Sequence, residues 1–138
     1  MADVFFDTNV LLYLLAAATA KADIAEALIA KGGVVSVQVL NEFVSVASRN
    51  LGMSMGEIRE VLEPIKTICT VVPLTVDTHE RALDVAQRYR LSFYDSMIVA
   101  SALDAGCKKL YSEDFQHGQV FNKWLKVVNP FVAKLGAK

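Results

Sequence analysis

Four acidic side chains, spread over most of the chain, could perform chemistry if the fold brought them together: Asp7, Glu42, Asp95 and Asp114. Carboxylates that share one cleft repel one another, and some would take up protons unless a cation neutralised them. Mg²⁺ prefers oxygen ligands and commonly combines one or two carboxylates with substrate phosphates, and Mn²⁺ suits the same ligands. The set therefore indicates phosphodiester hydrolysis, in which a metal lowers the pKa of bound water and neutralises charge on the phosphate.

Two of these acids follow predicted strands. Asp7 comes directly after the apolar run at 4–6, and Asp114 lies two residues beyond a strand that we expect to end near Ser112. In open α/β sheets, ligands bind at the carboxyl ends of the strands. We therefore expect both acids at the same edge of a sheet.

The other two acids lie on predicted helices. The first helix has an apolar stripe with the spacing i, i+3, i+4 and i+7, formed by Leu40, Phe43, Val44 and Ala47. Glu42 projects roughly opposite this stripe, so it can face an open cleft. Asp95 is expected in the first turn of a helix that continues over 97–105 and is closed by Gly106.

Each acid also has a purely structural interpretation. Asp7 can cap the helix that follows it, and Asp95 can complete a capping box with Ser92. Glu42 can be an exposed helix residue, and Asp114 can be an ordinary loop residue. Capping and metal binding do not exclude each other, so both interpretations stay open.

Short β-rich runs alternate with helical patterns along the whole chain. A capping box formed by Ser54 and Glu57 begins a helix that Pro64 should kink or end, and the run 77–80 is predicted to cap the next helix. Strands are predicted at 3–6, 34–37, 71–72, 109–112 and 127–128. Strands that alternate with helices imply an α/β fold with a mostly parallel sheet covered on both faces.

The bulk composition is that of one globular domain over residues 1–138. Hydrophobic residues make up 54% of the chain, which is enough for a substantial core. The longest uncharged run near the N-terminus, at 8–20, is shorter than the roughly 20 apolar residues that a membrane helix needs. No basic leader precedes it. A cytosolic protein without a membrane segment is the expectation.

Two features limit the choice of metal and of partner. Cys69 and Cys107 are far apart and no Cys/His cluster exists, so we expect two buried free thiols and no zinc site. The net charge is −1. If the substrate is RNA, the positive charge that binds it must therefore be confined to part of the surface. Lys108 and Lys109 are interpreted as solubility charges, because they precede a strand and so lie at the edge opposite the acids.

Four sequence blocks occur in order and together cover almost the whole chain. They are Val4-Phe-Phe-Asp7-Thr-Asn9-Val-Leu-Leu-Tyr13, Val39-Leu-Asn-Glu42-Phe, Leu91-Ser-Phe-Tyr-Asp95-Ser-Met-Ile-Val-Ala-Ser101-Ala-Leu and Leu110-Tyr-Ser-Glu-Asp114-Phe-Gln-His-Gly-Gln119. They resemble the PIN-domain family, specifically its VapC-type toxin ribonucleases. The terminal Val128-Asn-Pro-Phe131 resembles the close of one subgroup.

The resemblance implies a PIN-like three-layer α/β/α fold whose central sheet has four to five strands. It implies an Mg²⁺- or Mn²⁺-dependent ribonuclease that forms homodimers and is bound by an antitoxin. By position, the catalytic acids are Asp7, Glu42, Asp95 and Asp114, of which Asp7, Asp95 and Asp114 are the expected metal ligands. Thr8, Asn9 and Ser112 match supporting polar positions. The family pattern selects Asp114 over the adjacent Glu113, which faces elsewhere or assists.

Two other functions are weighed against this one. A phosphatase of the haloacid-dehalogenase type would use Asp7 as its nucleophile, but it needs a second Asp where Asn9 stands. A non-catalytic PIN-like binding or assembly module would keep the fold without cutting RNA. Arg49 shares the helix face of Glu42 and could touch a substrate phosphate, although a solvated helix charge is the simpler interpretation.

Overall fold

A six-stranded sheet organises the computed structural model, which describes residues 3–16 and 19–132. The strand order is β3-β2-β1-β4-β6-β5, and all neighbours are parallel except the β5–β6 pair. The strands are β1 (Val4–Phe6), β2 (Val34–Ser36), β3 (Thr70–Val72), β4 (Lys109–Tyr111), β5 (Val120–Phe121) and β6 (Leu125–Val128). The predicted mostly parallel sheet is confirmed. It has one strand more than expected because the two-residue β5 is too short to show a pattern.

Helices flank this sheet, which confirms the α/β class. A 3₁₀ turn at Tyr13–Leu15 follows the first helix directly. The α-helices are α1 (Thr8–Leu12), α2 (Ala20–Ala30), α3 (Val37–Asn50), α4 (Met55–Ile68), α5 (Val76–Tyr89) and α6 (Phe93–Asp104). Within the described ranges, no helix is both long and apolar enough to cross a membrane.

The core lies between the central strands and the helices, and its tightest approach is at Gly33. Phe5, Phe6 and Val35 are fully buried. A Cβ at Gly33 would lie 2.5 Å from the Phe6 ring, so only glycine fits there without a shift. Gly32, with φ +85, takes the left-handed conformation after α2. The two adjacent glycines are therefore required for different reasons, Gly33 for space and Gly32 for its backbone conformation. Cys69 and Cys107 are buried free thiols, as expected.

Two predicted details of the helices differ from the structure. Thr75, not the run 77–80, caps α5: its hydroxyl accepts a hydrogen bond from the Thr78 amide at 3.1 Å. Pro64 does not end α4, which continues to Ile68. Because proline has no N–H, the carbonyl of Glu60, four residues earlier, lacks its helical hydrogen bond. Glu60 and Pro64 are both exposed, so water can take the place of that bond.

The starts of two other helices are set by serines. The Ser36 hydroxyl accepts from the Val39 amide, so α3 begins at Val37 and the predicted strand stops one residue earlier. Ser92 caps α6 in the same way, so this helix begins at Phe93, ahead of the predicted run. A serine N-cap satisfies a free amide of the first turn and therefore fixes where a helix begins.

Candidate active site

Asp7 lies where β1 ends and is tied to the end of β4. Its amide donates to the Tyr111 carbonyl at 3.0 Å, which extends the β1–β4 pairing by one residue. One carboxylate oxygen accepts from the Thr8 amide at 2.7 Å and so caps α1. The other accepts from the Ser112 hydroxyl at 2.7 Å. The helix cap and the position at the sheet edge that were predicted for Asp7 are therefore both present.

Asn9 links the two strand ends through its side-chain amide. Its Nδ2 lies 3.2 Å from Asp7 Oδ2, 3.2 Å from Ser112 Oγ and 3.1 Å from Asp114 Oδ2. Its Oδ1 accepts from the Glu113 amide at 3.2 Å. An amide nitrogen has two hydrogens, so three acceptors compete for them. Asn9 therefore holds two carboxylates close together at the carboxyl edge of the sheet.

Glu42 is joined to this group by Thr8. The Thr8 hydroxyl donates to Glu42 Oε1 at 2.6 Å. Gln38, one turn earlier on α3, has its Nε2 3.5 Å from Glu42 Oε2 and 3.2 Å from the Tyr94 carbonyl. Glu42 faces the cleft, as its helical position predicted. Gln38 was not predicted, although a polar residue four positions before Glu42 is the available signal.

Asp95 occupies the first turn of α6, beside the others. Its amide donates to the Ser92 hydroxyl at 3.2 Å, so Ser92 caps α6. The predicted capping box is only half formed, because the Asp95 carboxylate accepts no hydrogen bond from the Ser92 amide. Burial raises the pKa of the Asp95 carboxyl, and the negative charge of Asp114 raises it further. The negative charge of Asp114 also raises the pKa of Asp7. The four predicted acids therefore lie in one neighbourhood, with Asp114 near both Asp7 and Asp95.

The electrostatic balance of the site is unfavourable for a buried anion. Burial raises the pKa of Asp7 to about 7. Hydrogen bonds from Ser112 and Thr8 act in the opposite direction, whereas the charges of Asp114 and Glu42 raise the pKa again. The protein's own donors thus do not offset the cost of burying this charge. A bound cation would supply the missing stabilisation.

The donor set suits a hard cation, although the acids are not gathered around one point. Within residues 3–16 and 19–132, no group of three or more His, Cys, Asp or Glu side chains is placed to hold a metal ion. Asn9, Thr8 and Ser112 hold the carboxylates through hydrogen bonds instead. All candidate ligands are oxygens, as Mg²⁺ and Mn²⁺ require. The adjacent cleft, of about 330 Å³, is lined by Thr8, Asn9, Leu12, Glu42, Ser45, Val46 and Asp114.

Comparison with known proteins identifies the family. The model of the PIN domain matches residues 4–120. The chain belongs to the PIN domain family. Its fold is similar to that of Mycobacterium tuberculosis VapC20, a Sarcin-Ricin loop cleaving toxin, with 24% identity, a TM-score of 0.66, and 82% of this chain and 89% of that one covered.

A toxin-antitoxin complex from Klebsiella pneumoniae also has this fold, with 20% identity, a TM-score of 0.69, and 92% of this chain and 97% of that one covered. At such identities the likeness concerns the fold. Comparison with curated proteins gives no match. The predicted resemblance to the PIN family is therefore confirmed.

Glu113, the neighbour of Asp114, is held by two polar groups outside the acidic cleft. The Tyr13 hydroxyl donates to Glu113 Oε2 at 2.9 Å, and Lys21 Nζ lies 3.5 Å from Glu113 Oε1 and 3.1 Å from the Tyr13 hydroxyl. Glu113 is thus held by Tyr13 and Lys21, while its backbone amide orients Asn9. Arg49 is exposed in the last turn of α3 and forms no hydrogen bond or ion pair with the four acids.

Proposed function

We propose that this PIN domain is a metal-dependent endoribonuclease of the cytoplasm and the toxin of a type II toxin–antitoxin pair. One observation carries the proposal: Asp7, Glu42 and Asp114 converge through Thr8, Asn9 and Ser112 at the carboxyl edge of the sheet. Membership of the PIN family supports it, as does the fold shared with two toxin structures.

Each residue has a distinct task in this proposal. Asp7, Asp95 and Asp114 would hold Mg²⁺ or Mn²⁺, which supplies an activated water and neutralises charge on the phosphate. Thr8 orients the carboxylate of Glu42 through its 2.6 Å hydrogen bond, so that Glu42 can accept a proton at the cleft. Asn9, with its 3.1 Å contact to Asp114, keeps that carboxylate beside Asp7.

The proposed protein partners are a cognate antitoxin and a second copy of the chain. The Klebsiella pneumoniae structure is a toxin-antitoxin complex, which supports the antitoxin. A mostly apolar cavity of about 410 Å³ adjoins the acidic cleft and shares Asn9, Leu12 and Val46 with it. An apolar pocket beside an active site offers a place for a bound polypeptide. The homodimer rests on the family resemblance alone.

Cleavage of RNA by the purified protein tests the proposal. Wild-type protein with Mg²⁺ should cut RNA, EDTA should stop the reaction reversibly, and Asp95→Asn should abolish it. The matched control is Asp23→Asn, because Asp23 is exposed in the first turn of α2 and lies outside the cleft. An Asp95→Asn protein that cuts RNA at the wild-type rate would overturn the four-acid mechanism.

A non-catalytic binding module is the second candidate. The side chain of Asn9 stands between Asp7 and Asp114, an arrangement that protein hydrogen bonds alone can maintain. Such a module would bind Mn²⁺ yet cut no RNA of any sequence. The phosphatase alternative has no comparable support, since Asn9 supplies an amide where that reaction needs a second Asp.

A further inference from the structure

Four of the nine lysines of the chain lie at one end of the sheet. All acidic residues precede position 115, so no carboxylate side chain follows Asp114. Around the amino end of β4 and the β5–β6 hairpin, five exposed residues form what we call the basic face: Lys108, Lys109, Lys123, Trp124 and Lys126. This clustering gives a chain of net charge −1 a local positive surface.

Backbone pairing fixes these lysines next to one another. Lys109 on β4 is the register partner of Lys126 on β6, so their side chains point to the same face of the sheet. The Lys126 amide donates to the Lys108 carbonyl at 2.9 Å. Like charges on paired positions oppose pairing. None of the four lysines takes part in an ion pair within residues 3–16 and 19–132.

Lys123 is held in a conformation that favours glycine. Asn122 and Lys123 have φ of +50 and +70, and the Trp124 amide donates to the Phe121 carbonyl at 3.2 Å. This is a tight hairpin turn in which the second central residue is usually glycine. The Tyr89 hydroxyl binds Asn122 at 2.8 Å and 3.3 Å and fixes the turn on α5. A lysine is therefore presented at a rigid, strained position.

We propose that the basic face binds the phosphate backbone of a structured RNA whose scissile bond lies in the acidic cleft, which rests on the proposed RNA cleavage. Lysines neutralise phosphates and release counterions, and an exposed tryptophan can stack on an unpaired base. A protein partner fits less well, because it would need acidic side chains placed to pair with four lysines, whereas any RNA backbone supplies a regular row of phosphates.

The basic face and the acidic cleft are close enough for one RNA to reach both. Lys109 and Asp114 are five residues apart along the chain, and 113–115 are bent, so the two residues lie at most about 18 Å apart, the length of a fully extended segment. A few nucleotides cover that distance. Asp3, whose carbonyl accepts from the Lys108 and Lys109 amides, borders the basic face on the β1 side. Given the short separation between Lys109 and Asp114, an RNA stem bound to the basic face can place its loop in the acidic cleft.

Two matched triple variants test this surface. The face variant is Lys109→Gln/Lys123→Gln/Lys126→Gln. The control variant is Lys31→Gln/Arg59→Gln/Lys66→Gln, which removes the same charge from exposed positions at the end of α2 and on α4. Binding of a labelled hairpin RNA in EDTA is measured by fluorescence anisotropy over a range of salt concentrations. Where RNA is cut, kcat and KM are compared for a hairpin and for its loop sequence as an unpaired oligonucleotide.

The face variant should bind the hairpin on the order of tenfold more weakly, and its slope of log Kd against log salt should be lower by about 2 to 3. KM should rise for the hairpin and not for the unpaired oligonucleotide, with kcat unchanged. Equal behaviour of the two triple variants would overturn the proposal. So would a face variant that binds RNA normally but changes its oligomeric state in sedimentation, since the surface would then contact protein.

This design separates the two proposals. If wild-type protein cuts no RNA but hairpin binding still depends on the basic face, the nuclease proposal alone fails. If RNA is cut and the face variant matches the control variant, the basic face alone fails.

Discussion

The two ends of the central strands differ in charge: acids lie at the carboxyl ends of β1 and β4, and lysines lie at the amino end of β4. At their carboxyl ends, Asp7 and Asp114 are tied to Asn9 and Ser112 by hydrogen bonds of 2.7 to 3.2 Å. At the amino end of β4, the lysines are exposed and form no ion pair among the described residues. The acids are thus held by side-chain hydrogen bonds, whereas the lysines are placed by the backbone alone.

The comparison shows why a net charge is a poor guide to nucleic-acid binding. The sum of −1 hides two regions of opposite sign on one sheet. A binding surface depends on local potential rather than on the total. Under the proposed function, the acidic region would repel phosphate until a cation bound, so a separate attractive region would help RNA to bind.

Loss of one acid should have the largest effect. Asp7→Asn should reduce RNA cleavage by on the order of 1000-fold or more, because it removes an expected metal ligand together with the negative charge that attracts the cation. Hairpin binding in EDTA should be unchanged or tighter, since a negative charge near the phosphate is gone. If the Asp7→Asn protein still cut RNA but bound the hairpin more weakly, the acids would be the RNA-binding end of the sheet, which would contradict both proposals.

Asp7 should also make the stability of the metal-free protein depend on pH. Its folded-state pKa is about 7, and its unfolded value is about 4. Between these values the folded state keeps a proton that the unfolded state has lost. The resulting stabilisation is complete below about pH 4 and is lost as the pH rises through 7, by up to about 4 kcal/mol.

Thermal unfolding in EDTA measures this effect. The Tm of wild-type protein relative to that of Asp7→Asn should fall as the pH rises from about 5 to about 8. Mg²⁺ should raise the wild-type Tm more at the higher pH, because binding to the ionised site stabilises the folded state. A pH-independent difference in Tm between the two proteins would contradict the raised pKa.

Asn9 should matter less than the acids that it joins. Asn9→Ala removes the amide between Asp7 and Asp114, and we expect a 10- to 100-fold loss of cleavage, typical of a group that orients ligands. Asn41→Ala, at an exposed position of α3, is the control. Since the basic face is untouched, KM for a hairpin should stay constant while kcat falls. A rise in KM alone would mean that Asn9 contacts RNA instead.

The smallest effect is expected at Gln38, which connects α3 to α6. Gln38→Ala removes the contacts with Glu42 and the Tyr94 carbonyl and should lower kcat by a few-fold, since one of them is long at 3.5 Å. Gln87→Ala on α5 is exposed and serves as the control. If both variants behave alike, Glu42 is positioned by Thr8 alone.

The sequence predicted the acids better than the contacts between them. The positions of Asp7 and Asp114 follow from strand ends in a parallel sheet, and that of Glu42 from its helix face. The hydrogen bonds of Asn9 join residues more than 100 positions apart along the chain, so no local pattern could indicate them. The cap of α5 was misplaced because Thr75 and the acidic run after it are both good capping candidates.

The basic face was missed for a related reason. Lys109 and Lys126 become neighbours only through β4–β6 pairing, and Lys123 draws attention only through its backbone angle. In the sequence Lys123 and Lys126 form no pattern, and the adjacent Lys108 and Lys109 are interpreted as solubility charges on the edge opposite the acids. Charge patterns that depend on strand pairing emerge only once the register is known.

Helix α6 connects the candidate active site to the hydrophobic core. Every residue from Ser96 to Leu103 is buried, so the helix is enclosed on all sides. Such a segment exchanges its amide hydrogens last, because it opens only when the whole domain unfolds. Asp95 directly precedes this segment in the first turn of α6, whereas Asp114 is exposed on a loop. We therefore expect local fraying to displace Asp114 more readily than Asp95.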